Sequence, residues 1–199
     1  MTPYASRELF KTYARIDADD TTDDDLFDVA LAAARTAIDR SARRRFDASG
    51  AVEPRVFTAR IDPKTLRTVI DVDDTFSDAD EIDLAYDPLQ EGAFTTAVSG
   101  DFRAWPYDAG LKDRPFIRLI MHRATAVPIG EVEVTTSYGW EATPDTIVQA
   151  NLLQAARYLK RRDSPLGVAG SPDMESELRL LSKLDPDVEL MVADYRRWT

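Results

Sequence analysis

The chain has 199 residues, of which 44% are apolar, so it can bury a substantial core and is not expected to be disordered. It contains no cysteine and no apolar run of about 18 residues, which argues against disulfides, thiolate metal sites and a membrane-spanning helix. The formal net charge of -11 argues against binding nucleic acid through a summed positive field. The first residues lack the pattern of a secretory signal, and together with the missing cysteines this suggests folding in a reducing cytosol.

The N-terminal quarter predicts two helices separated by an acidic run. Ser6 is placed to cap a short helix over residues 6–13. The acidic run, residues 17–25, leads into a second helix predicted over residues 23–46, because apolar residues recur there at helical spacing and alanine is frequent. Acids at the start of this helix and four arginines near its end both suit the helix dipole, and Gly50 is expected to stop it.

The acidic run also partly matches a calcium-binding loop. Asp17, Asp19 and Asp28 stand at the first, third and twelfth positions of such a loop. However, Thr22 occupies the position that needs glycine, and Asp28 replaces the bidentate glutamate. A solvated helix start is therefore the preferred interpretation.

Residues 51–136 change character and predict short β-strands. Turn signals such as Asp62-Pro63 separate the runs, which are rich in β-branched residues. The predicted strands are 56–61, 66–72, 81–86, 95–98, 114–120 and 131–136. This spacing predicts a small antiparallel sandwich or barrel, with consecutive strands as neighbours in a local meander.

The last of these strands leads through a short joint into a long helix. Tyr138 and Trp140 flank Gly139, which predicts a tight turn that lays an aromatic ring on the helix. Residues 143–145 resemble a helix start, with a capping hydroxyl, a proline and an acid, and the apolar spacing that follows predicts a helix over residues 145–162.

The C-terminal part predicts two further helical segments after a break rich in glycine and proline. Met174, Leu178 and Leu181 indicate the first, and Asp185 followed by proline starts the second. Tyr195 and Trp198 either complete the apolar face of this last helix or form part of a binding surface, since Tyr, Arg and Trp are enriched at interaction hot spots.

These elements predict an α+β fold in which a helical bundle core carries an inserted small antiparallel β subdomain. The expected segments are the N-terminal helices of the bundle (1–50), the β-rich insertion (51–136), the C-terminal helices of the bundle (137–184) and a C-terminal arm (185–199).

No motif in the sequence indicates catalysis, a cofactor or a metal. His122 is the single histidine and has no nucleophile motif beside it, so a structural role is expected. The 36 acidic residues fall mostly at helix starts and turns, and no pair of them stands in a context that would raise one pKa. We therefore expect a protein that is not an enzyme.

The order of the elements resembles the head-to-tail adaptor family of long-tailed bacteriophages, also called connector or head-completion proteins. Four pieces carry the resemblance and span both ends of the chain while omitting most of the β-rich middle. They are residues 8–16 with the acids after them, residues 38–46, the joint 138–144 with residues 155–168, and residues 185–197. The stretch after Gly170 departs from the glycine-containing segment of the family.

This resemblance implies a ring, commonly of twelve subunits, that is bound under the portal at the capsid vertex. Such a ring extends the channel for packaged and ejected DNA and docks the next tail-side protein, a stopper or head-closure protein. The protein would be made in the host cytoplasm and act in the virion neck, with no membrane partner and no sequence-specific contact to DNA. The C-terminal arm would bind the portal, through Val188, Met191, Tyr195, Arg196, Arg197 and Trp198.

Charge supports two further expectations within this resemblance. An acidic wall would repel DNA phosphates, and candidates for it are Asp19, Asp20, Asp23, Asp24 and Asp25. A closed ring needs a head-to-tail interface between two different surfaces, and the basic end of the long helix is a candidate for one of them, through Arg40, Arg43, Arg44 and Arg45.

Two other functions stay open on the sequence. A monomeric acidic binding or inhibitor module, such as a DNA mimic, would also account for the charge. An enzyme of unfamiliar type would need a carboxylate cluster in a pocket.

Overall fold

The computed structural model describes residues 2–89, 91–98, 102–122, 129–163, 168–169, 178–179 and 184–197. The chain forms a mixed α/β fold with two compact units. The first unit combines the two ends of the chain, Met1–Phe46 and Thr143–Thr199, and the second is the intervening segment Asp47–Ala142. No helix among the described residues is long and apolar enough to cross a membrane.

The first unit holds the four α-helices of the described residues. They are α1 (Arg7–Ala14), α2 (Asp24–Ala42), α3 (Asp145–Asp163) and α4 (Pro186–Ala193). The helix α2 packs against α3, and α4 packs against both. Apolar residues at helical spacing form the core between them, including Phe10, Phe27, Leu31, Ala34, Leu152 and Ala155. We call this the helical unit.

Local signals account for where these helices begin. The Ser6 hydroxyl accepts a hydrogen bond from the Leu9 amide at 3.2 Å, as predicted for the cap of α1. The Asp185 carboxylate does the same for the Asp187 amide at 3.0 Å, and Pro186 follows where no amide hydrogen is needed. These two helix starts are therefore encoded within three or four residues.

A buried amide ties the N-terminus to the helical unit. Asn151 is fully buried on α3, and its side-chain oxygen accepts a hydrogen bond from the Ala5 amide at 3.0 Å. Its side-chain nitrogen donates to the Leu31 carbonyl oxygen on α2, also at 3.0 Å. One side chain thus satisfies the first segment and α2 together, which fixes residues 2–5 against the helices.

The second unit is built on a curled seven-stranded sheet of the described residues, and we call it the sheet unit. Its strands are β1 (Val52–Ile61), β2 (Thr68–Thr75), β3 (Asp83–Tyr86), β4 (Thr96–Ala97), β5 (Phe102–Trp105), β6 (Phe116–Met121) and β7 (Gly130–Ser137). All ladders are antiparallel, and the order is β4-β3-β7-β1-β2-β6-β5. A 3₁₀ turn, Ala79–Glu81, lies against β5.

The strand order differs from the predicted local meander. The hairpins β1–β2, β3–β4 and β5–β6 join consecutive strands, but β7 inserts between β1 and β3, and β2 pairs with β6. β7 has this central position because its inward residues Val132, Val134 and Thr136 are all buried, whereas β4 has two residues and can only form an edge. β5, which has only four residues, was not predicted from the sequence.

The joint between the units depends on a close backbone approach at Gly139. Its φ of +124° is a conformation that residues with a side chain rarely adopt, and a Cβ there would lie 2.8 Å from the Ser49 Cα. On either side, the Trp140 amide donates to the Asp47 carbonyl oxygen at 2.9 Å, and the Ser49 amide donates to the Trp140 carbonyl oxygen at 2.6 Å. The two ends of the sheet unit are thereby held side by side.

Two local predictions after the joint need correction. The Thr143 hydroxyl, predicted to cap α3, donates to the Phe46 carbonyl oxygen at 2.8 Å, and the Pro144 carbonyl oxygen accepts hydrogen bonds from the Ile147 and Val148 amides. Leu178–Arg179 forms a β-strand (β9) paired with Val168–Ala169 (β8), so the helical prediction is wrong at Leu178. The remainder of the predicted segment lies largely outside the described residues.

Candidate functional site

The acidic run is organised by one buried lysine. Lys11 on α1 is 5% exposed, and its ammonium group lies 2.7 Å from an Asp24 carboxylate oxygen. The same ammonium donates to the carbonyl oxygens of Ala18, at 3.2 Å, and Asp20, at 2.7 Å. Two carbonyl oxygens accept hydrogen bonds from the ammonium group and a carboxylate forms an ion pair with it, so the loop is wrapped around a cation whose charge is compensated.

The five acids predicted to line a channel do not share one environment. Asp24 is partly buried and also pairs with Arg7 at 3.1 Å, so its charge is neutralised locally. The other four are exposed to solvent: Asp19, Asp20, Asp23 and Asp25. Hydrogen bonds from the hydroxyl and the amide of Thr22 lower the pKa of Asp20, which keeps this carboxylate charged to more acidic pH. In the described part of the chain no three potential metal ligands lie together.

The basic end of α2 differs from the prediction. The helix ends at Ala42, four residues before the expected boundary, because Arg43 takes a left-handed conformation with φ of 56°. Phe46 is then fully buried and packs edge-on against the rings of Tyr4 and Tyr195. Since Phe46 draws the chain inward, Arg43 does not continue the helical face that carries Arg40.

The four arginines predicted for a ring interface are therefore dispersed. Arg40 lies exposed in the last turn of α2, and Arg43 lies exposed just beyond it. Arg44 is partly buried, Arg45 is exposed, and both interact with other groups of the chain. Two exposed guanidinium groups with no ion pair among the described residues, those of Arg40 and Arg43, are thus available at this position.

The C-terminal segment packs on its own helical unit. Val188 and Val192 on α4 are fully buried. An ion pair between Arg157 and Asp185 and a hydrogen bond of 2.9 Å from the Asp185 amide to the Gln154 side-chain oxygen hold the start of α4 against α3. Of the residues predicted to bind a portal, Val188 is therefore not accessible to a partner while α4 is docked.

The residues after α4 are held in the same way. The Arg197 amide donates to the Ala42 carbonyl oxygen at 2.9 Å, and the Arg196 guanidinium donates to the Ser41 hydroxyl at 3.3 Å. Met191, Tyr195, Arg196 and Arg197 are partly exposed, and Trp198 lies outside the described residues. Sequence reasoning missed Leu190, which is 73% exposed on α4 and is the largest apolar side chain of this segment open to solvent.

His122, for which a structural role was predicted, is exposed directly after the end of β6.

The sequence analysis did not identify a group of cations on the sheet unit. These cations lie on three strands and a hairpin, and their positions relative to one another depend on the strand order. The group consists of Arg60, Lys64, Arg67, Arg103 and Arg118.

Comparison with solved structures finds the same fold in two chains from the neck of a gene transfer agent (GTA) particle. One, from the neck of the empty particle computed with C6 symmetry, is 19% identical over 98% of this chain and 91% of that chain, with a TM-score of 0.58. The other, from the neck of the native particle computed with C12 symmetry, is 19% identical over 100% of this chain and 94% of that chain, with a TM-score of 0.50.

At this identity the likeness concerns the fold, and at the level of the fold the resemblance to neck proteins of phage-like particles is confirmed. No family model matches the sequence. No curated protein matches it either.

Proposed function

We propose that the protein is a structural component of a virion neck, a head-to-tail adaptor that forms a ring under the portal of a phage or phage-like particle. The observation that carries this proposal is the shared fold, which extends over 98% of this chain and 91% of a neck chain. A likeness over nearly all of both chains includes the helical and the sheet units alike. In this proposal the helices form the bundle core, and the sheet unit is a subdomain inserted into it.

The symmetry of the neighbours supports the proposed ring. Chains with this fold occur in necks computed with C6 and C12 symmetry, and a twelve-subunit ring is consistent with both. A closed ring needs two different complementary surfaces on each copy. The exposed end of α2, with Arg40 and Arg43, is the proposed basic contributor from the helical unit.

A ring of this kind would extend the DNA channel without gripping DNA. Asp19, Asp20, Asp23 and Asp25 are exposed, and we propose that they face the channel, where carboxylates repel phosphates. Asp24 has a different role in this proposal, because its ion pairs with Lys11 and Arg7 hold the loop in shape. No sequence-specific contact with DNA is implied.

The portal contact is assigned to the C-terminal segment, and the next tail-side protein is proposed to dock on another face of the ring. Met191, Tyr195, Arg196 and Arg197 are partly exposed and accessible on the docked helix, and we add Leu190 to them. Val188 could contribute only if α4 leaves its place on α3. The role proposed here is mechanical and electrostatic and involves no catalysis, and its location is the virion neck.

A second candidate function is a monomeric acidic binding module that mimics DNA. The net charge of -11 favours it, because such a charge suits a protein that occupies a nucleic-acid site on a partner. The two candidates differ in self-association and in binding to capsids.

The test is sedimentation of the purified protein with emptied, tailless capsids, in comparison with the protein alone. Deleting α4 would expose the core around Val188, so a surface substitution is the sharper variant. We expect wild-type protein to sediment with capsids and Leu190→Asp to lose most of this binding, since a charge is placed in an apolar contact. Arg40→Glu together with Arg43→Glu should weaken ring formation more at low than at high ionic strength.

Val29→Asp is the matched control, because Val29 is 66% exposed on α2 and is not assigned to any interface. A stable monomer that never binds capsids would overturn the adaptor proposal and favour the acidic module. If Leu190→Asp and Val29→Asp lose capsid binding to the same extent, the portal assignment of the C-terminal segment is contradicted.

A further inference from the structure

The β1–β2 hairpin borders a small cleft on the sheet unit, with a volume of about 360 Å³. Val69 on β2 and Ile120 on β6 lie opposite each other and give the cleft an apolar wall. Three cations also line it, Lys64 and Arg67 from the hairpin and Arg118 from β6. The cleft therefore concentrates positive charge beside apolar side chains, on a chain whose net charge is -11.

Two of these cations are available to a partner. Among the residues that the structure describes, no ion pair involves the side chain of Lys64 or Arg67. Arg118 is held in position, because its Nε donates to an Asp71 carboxylate oxygen at 2.5 Å and its guanidinium lies 5.7 Å from the centre of the Trp105 ring. Two available cations beside a fixed guanidinium are suited to binding a carboxylate.

The loop of the hairpin is held in one conformation by Asp62. The Asp62 carboxylate accepts hydrogen bonds from the Thr65 hydroxyl at 2.7 Å and the Lys64 amide at 3.1 Å. The Asp62 amide donates to the Arg67 carbonyl oxygen at 2.9 Å, and the Asp62 carbonyl oxygen accepts from the Leu66 amide at 2.8 Å. A partner thus meets a preorganised surface, and binding does not have to pay for ordering this loop.

Leu66 lies in this loop in a conformation that favours glycine. Its φ is 55°, and 76% of the residue is exposed. The Cβ of a leucine makes the left-handed conformation unfavourable, and an apolar side chain in water brings no compensating burial. Folding of the hairpin therefore does not account for a leucine at this position, whereas an apolar contact with a partner does.

The charges around the cleft favour a short acidic ligand over DNA. Glu131 and Glu133 on β7 lie opposite Thr58 and Val56 on β1. Arg60, two residues after Thr58, points to the same face, so an acidic area adjoins the basic one. A DNA duplex carries one phosphate charge per about 1.7 Å of its axis, and a duplex in the cleft would extend over these glutamates. A short polypeptide segment avoids this repulsion.

A second copy of the chain is not the expected occupant. Because the acidic and basic areas share one face, two copies can pair them only around a twofold axis. Neighbours in a cyclic ring are related by rotation about the ring axis and contact each other through two different surfaces. The exposed acids of the loop before α2 are assigned to the channel in the proposed function. The occupant is therefore a different protein.

We propose that the cleft and Leu66 form the docking site for the next tail-side protein, and that they bind a segment of it in which an acidic side chain adjoins an apolar one. The carboxylate binds between Lys64, Arg67 and Arg118, and the apolar side chain packs on Leu66. The portal contact is assigned to the helical unit, so the tail-side protein is the neck partner that remains for the sheet unit. This inference rests on the proposed function and adds the chemistry of one contact to it.

The position of the cleft within the sheet unit suits such a contact. The strand β1 begins at Val52, close to the joint, and extends over ten residues to Ile61, where the hairpin follows. At about 3.3 Å per residue the strand spans about 30 Å. The cleft is therefore remote from the first and last residues of the sheet unit, where the chain connections would restrict access.

A labelled peptide tests the chemistry of the site on the free protein. The probe carries glutamates on both sides of one leucine, and a peptide with glutamines in their place is its control. We expect Arg67→Glu to weaken binding of the acidic peptide, measured by fluorescence anisotropy, by about tenfold at low ionic strength and by less at about 1 M salt, where the Debye length is about 3 Å. Lys160→Glu changes the net charge equally on an exposed residue of α3 and should leave binding unchanged.

Leu66→Gly separates binding from folding. Glycine adopts a positive φ readily, so the melting temperature should not fall. Binding of the acidic peptide should nevertheless weaken several-fold, because the apolar contact is lost. Leu111→Gly is the matched control, since Leu111 is 90% exposed and does not line the cleft. A lower melting temperature with unchanged peptide binding would show that Leu66 serves the fold and would overturn its assigned role.

Assembly on capsids tests the identity of the partner. Emptied, tailless capsids that carry each variant are mixed with purified tails and their attached neck proteins, and joined particles are counted by electron microscopy. We expect Arg67→Glu and Leu66→Gly to stay on the capsids but to join tails about tenfold less often than wild type. Normal joining by both capsid-bound variants would overturn the inference and leave the adaptor role intact.

The remaining outcomes separate the possible occupants. An acidic peptide that binds no better than its glutamine control would overturn the proposed ligand class. Peptide binding by a protein that never binds capsids would support this ligand class and refute the adaptor role. Duplex DNA bound by wild type but not by Arg67→Glu, without peptide binding, would identify phosphates as the occupant and overturn the inference. Self-association that is lost in Arg67→Glu would assign the cleft to a second copy and also overturn it.

Discussion

Replacing Lys11 by methionine should destabilise the helical unit and release the acidic loop. Methionine keeps the length and packing of the stem but removes the ammonium group, which contacts Asp24 and the carbonyl oxygens of Ala18 and Asp20. Removing one partner of a buried ion pair typically costs about 3–5 kcal/mol, because the remaining charge loses its compensation.

The structure places the expected cost at the lower end of this range. Asp24 keeps its pair with Arg7 at 3.1 Å, and its side chain is 18% exposed, so water can reach it. The two carbonyl oxygens belong to an exposed loop and can also be solvated. We therefore expect Lys11→Met to lower the free energy of unfolding by about 3 kcal/mol, measured by urea denaturation with an unchanged m value.

A double-mutant cycle with Asp24→Asn separates the pair from general packing. We expect a coupling energy of about 1–2 kcal/mol between the two positions. Arg7→Met is the control, because Arg7 is 34% exposed, and an exposed ion pair contributes about 1 kcal/mol or less. A loss below about 1 kcal/mol for Lys11→Met, with no coupling to Asp24, would refute the view that this cation organises the loop.

Two further predictions concern the joint and the N-terminus. Gly139→Ala should destabilise the sheet unit by about 3 kcal/mol or more in thermal or urea unfolding, because the new Cβ would lie 2.8–2.9 Å from backbone atoms of Asp47 and Ser49 at a positive φ. Gly50→Ala, where nothing lies within 4 Å, is its control and should be nearly neutral; equal effects would contradict the argument. Burial, with a hydrogen bond to Asp39, raises the pKa of Tyr4, so the stability that it contributes is present below the ordinary tyrosine pKa of about 10 and is lost as pH rises above it. Tyr4→Phe should therefore flatten the alkaline limb of a stability–pH profile, and an unchanged limb would assign the loss to other groups.

Local features of the sequence were sufficient to predict several helix starts. The caps at Ser6 and Asp185 and the apolar spacing of α3 are each decided within one or two turns, so they could be predicted without knowledge of the rest of the fold. The end of α2 could not be predicted, because it depends on the burial of Phe46 between Tyr4 and Tyr195, which are distant along the chain.

The pairing of the strands could not be predicted from the sequence either, because it also depends on contacts between distant residues. Most strands could be recognised from their composition, but the central place of β7 depends on which strands can be buried on one face and closed against β1. Arg60 and Arg118 show the consequence: they are far apart in sequence, and both pair with Asp71 only because β2 lies between β1 and β6. The packing of the last segment on its own helices was one of two interpretations that the sequence left open, because its aromatic residues suit a core and a binding surface equally.

The paired ends of the sheet unit have a consequence for the order of folding. The amide of Trp140 bonds to Asp47, the hydroxyl of Thr143 bonds to Phe46, and so the chain leaves and re-enters the helical unit at adjacent points. Once residues 47–142 have folded during synthesis, α3 and α2 are separated by the equivalent of a tight turn instead of a long flexible loop. The helical unit can then close as rapidly as a simple helical hairpin, and insertions in the sheet unit should leave that rate unchanged.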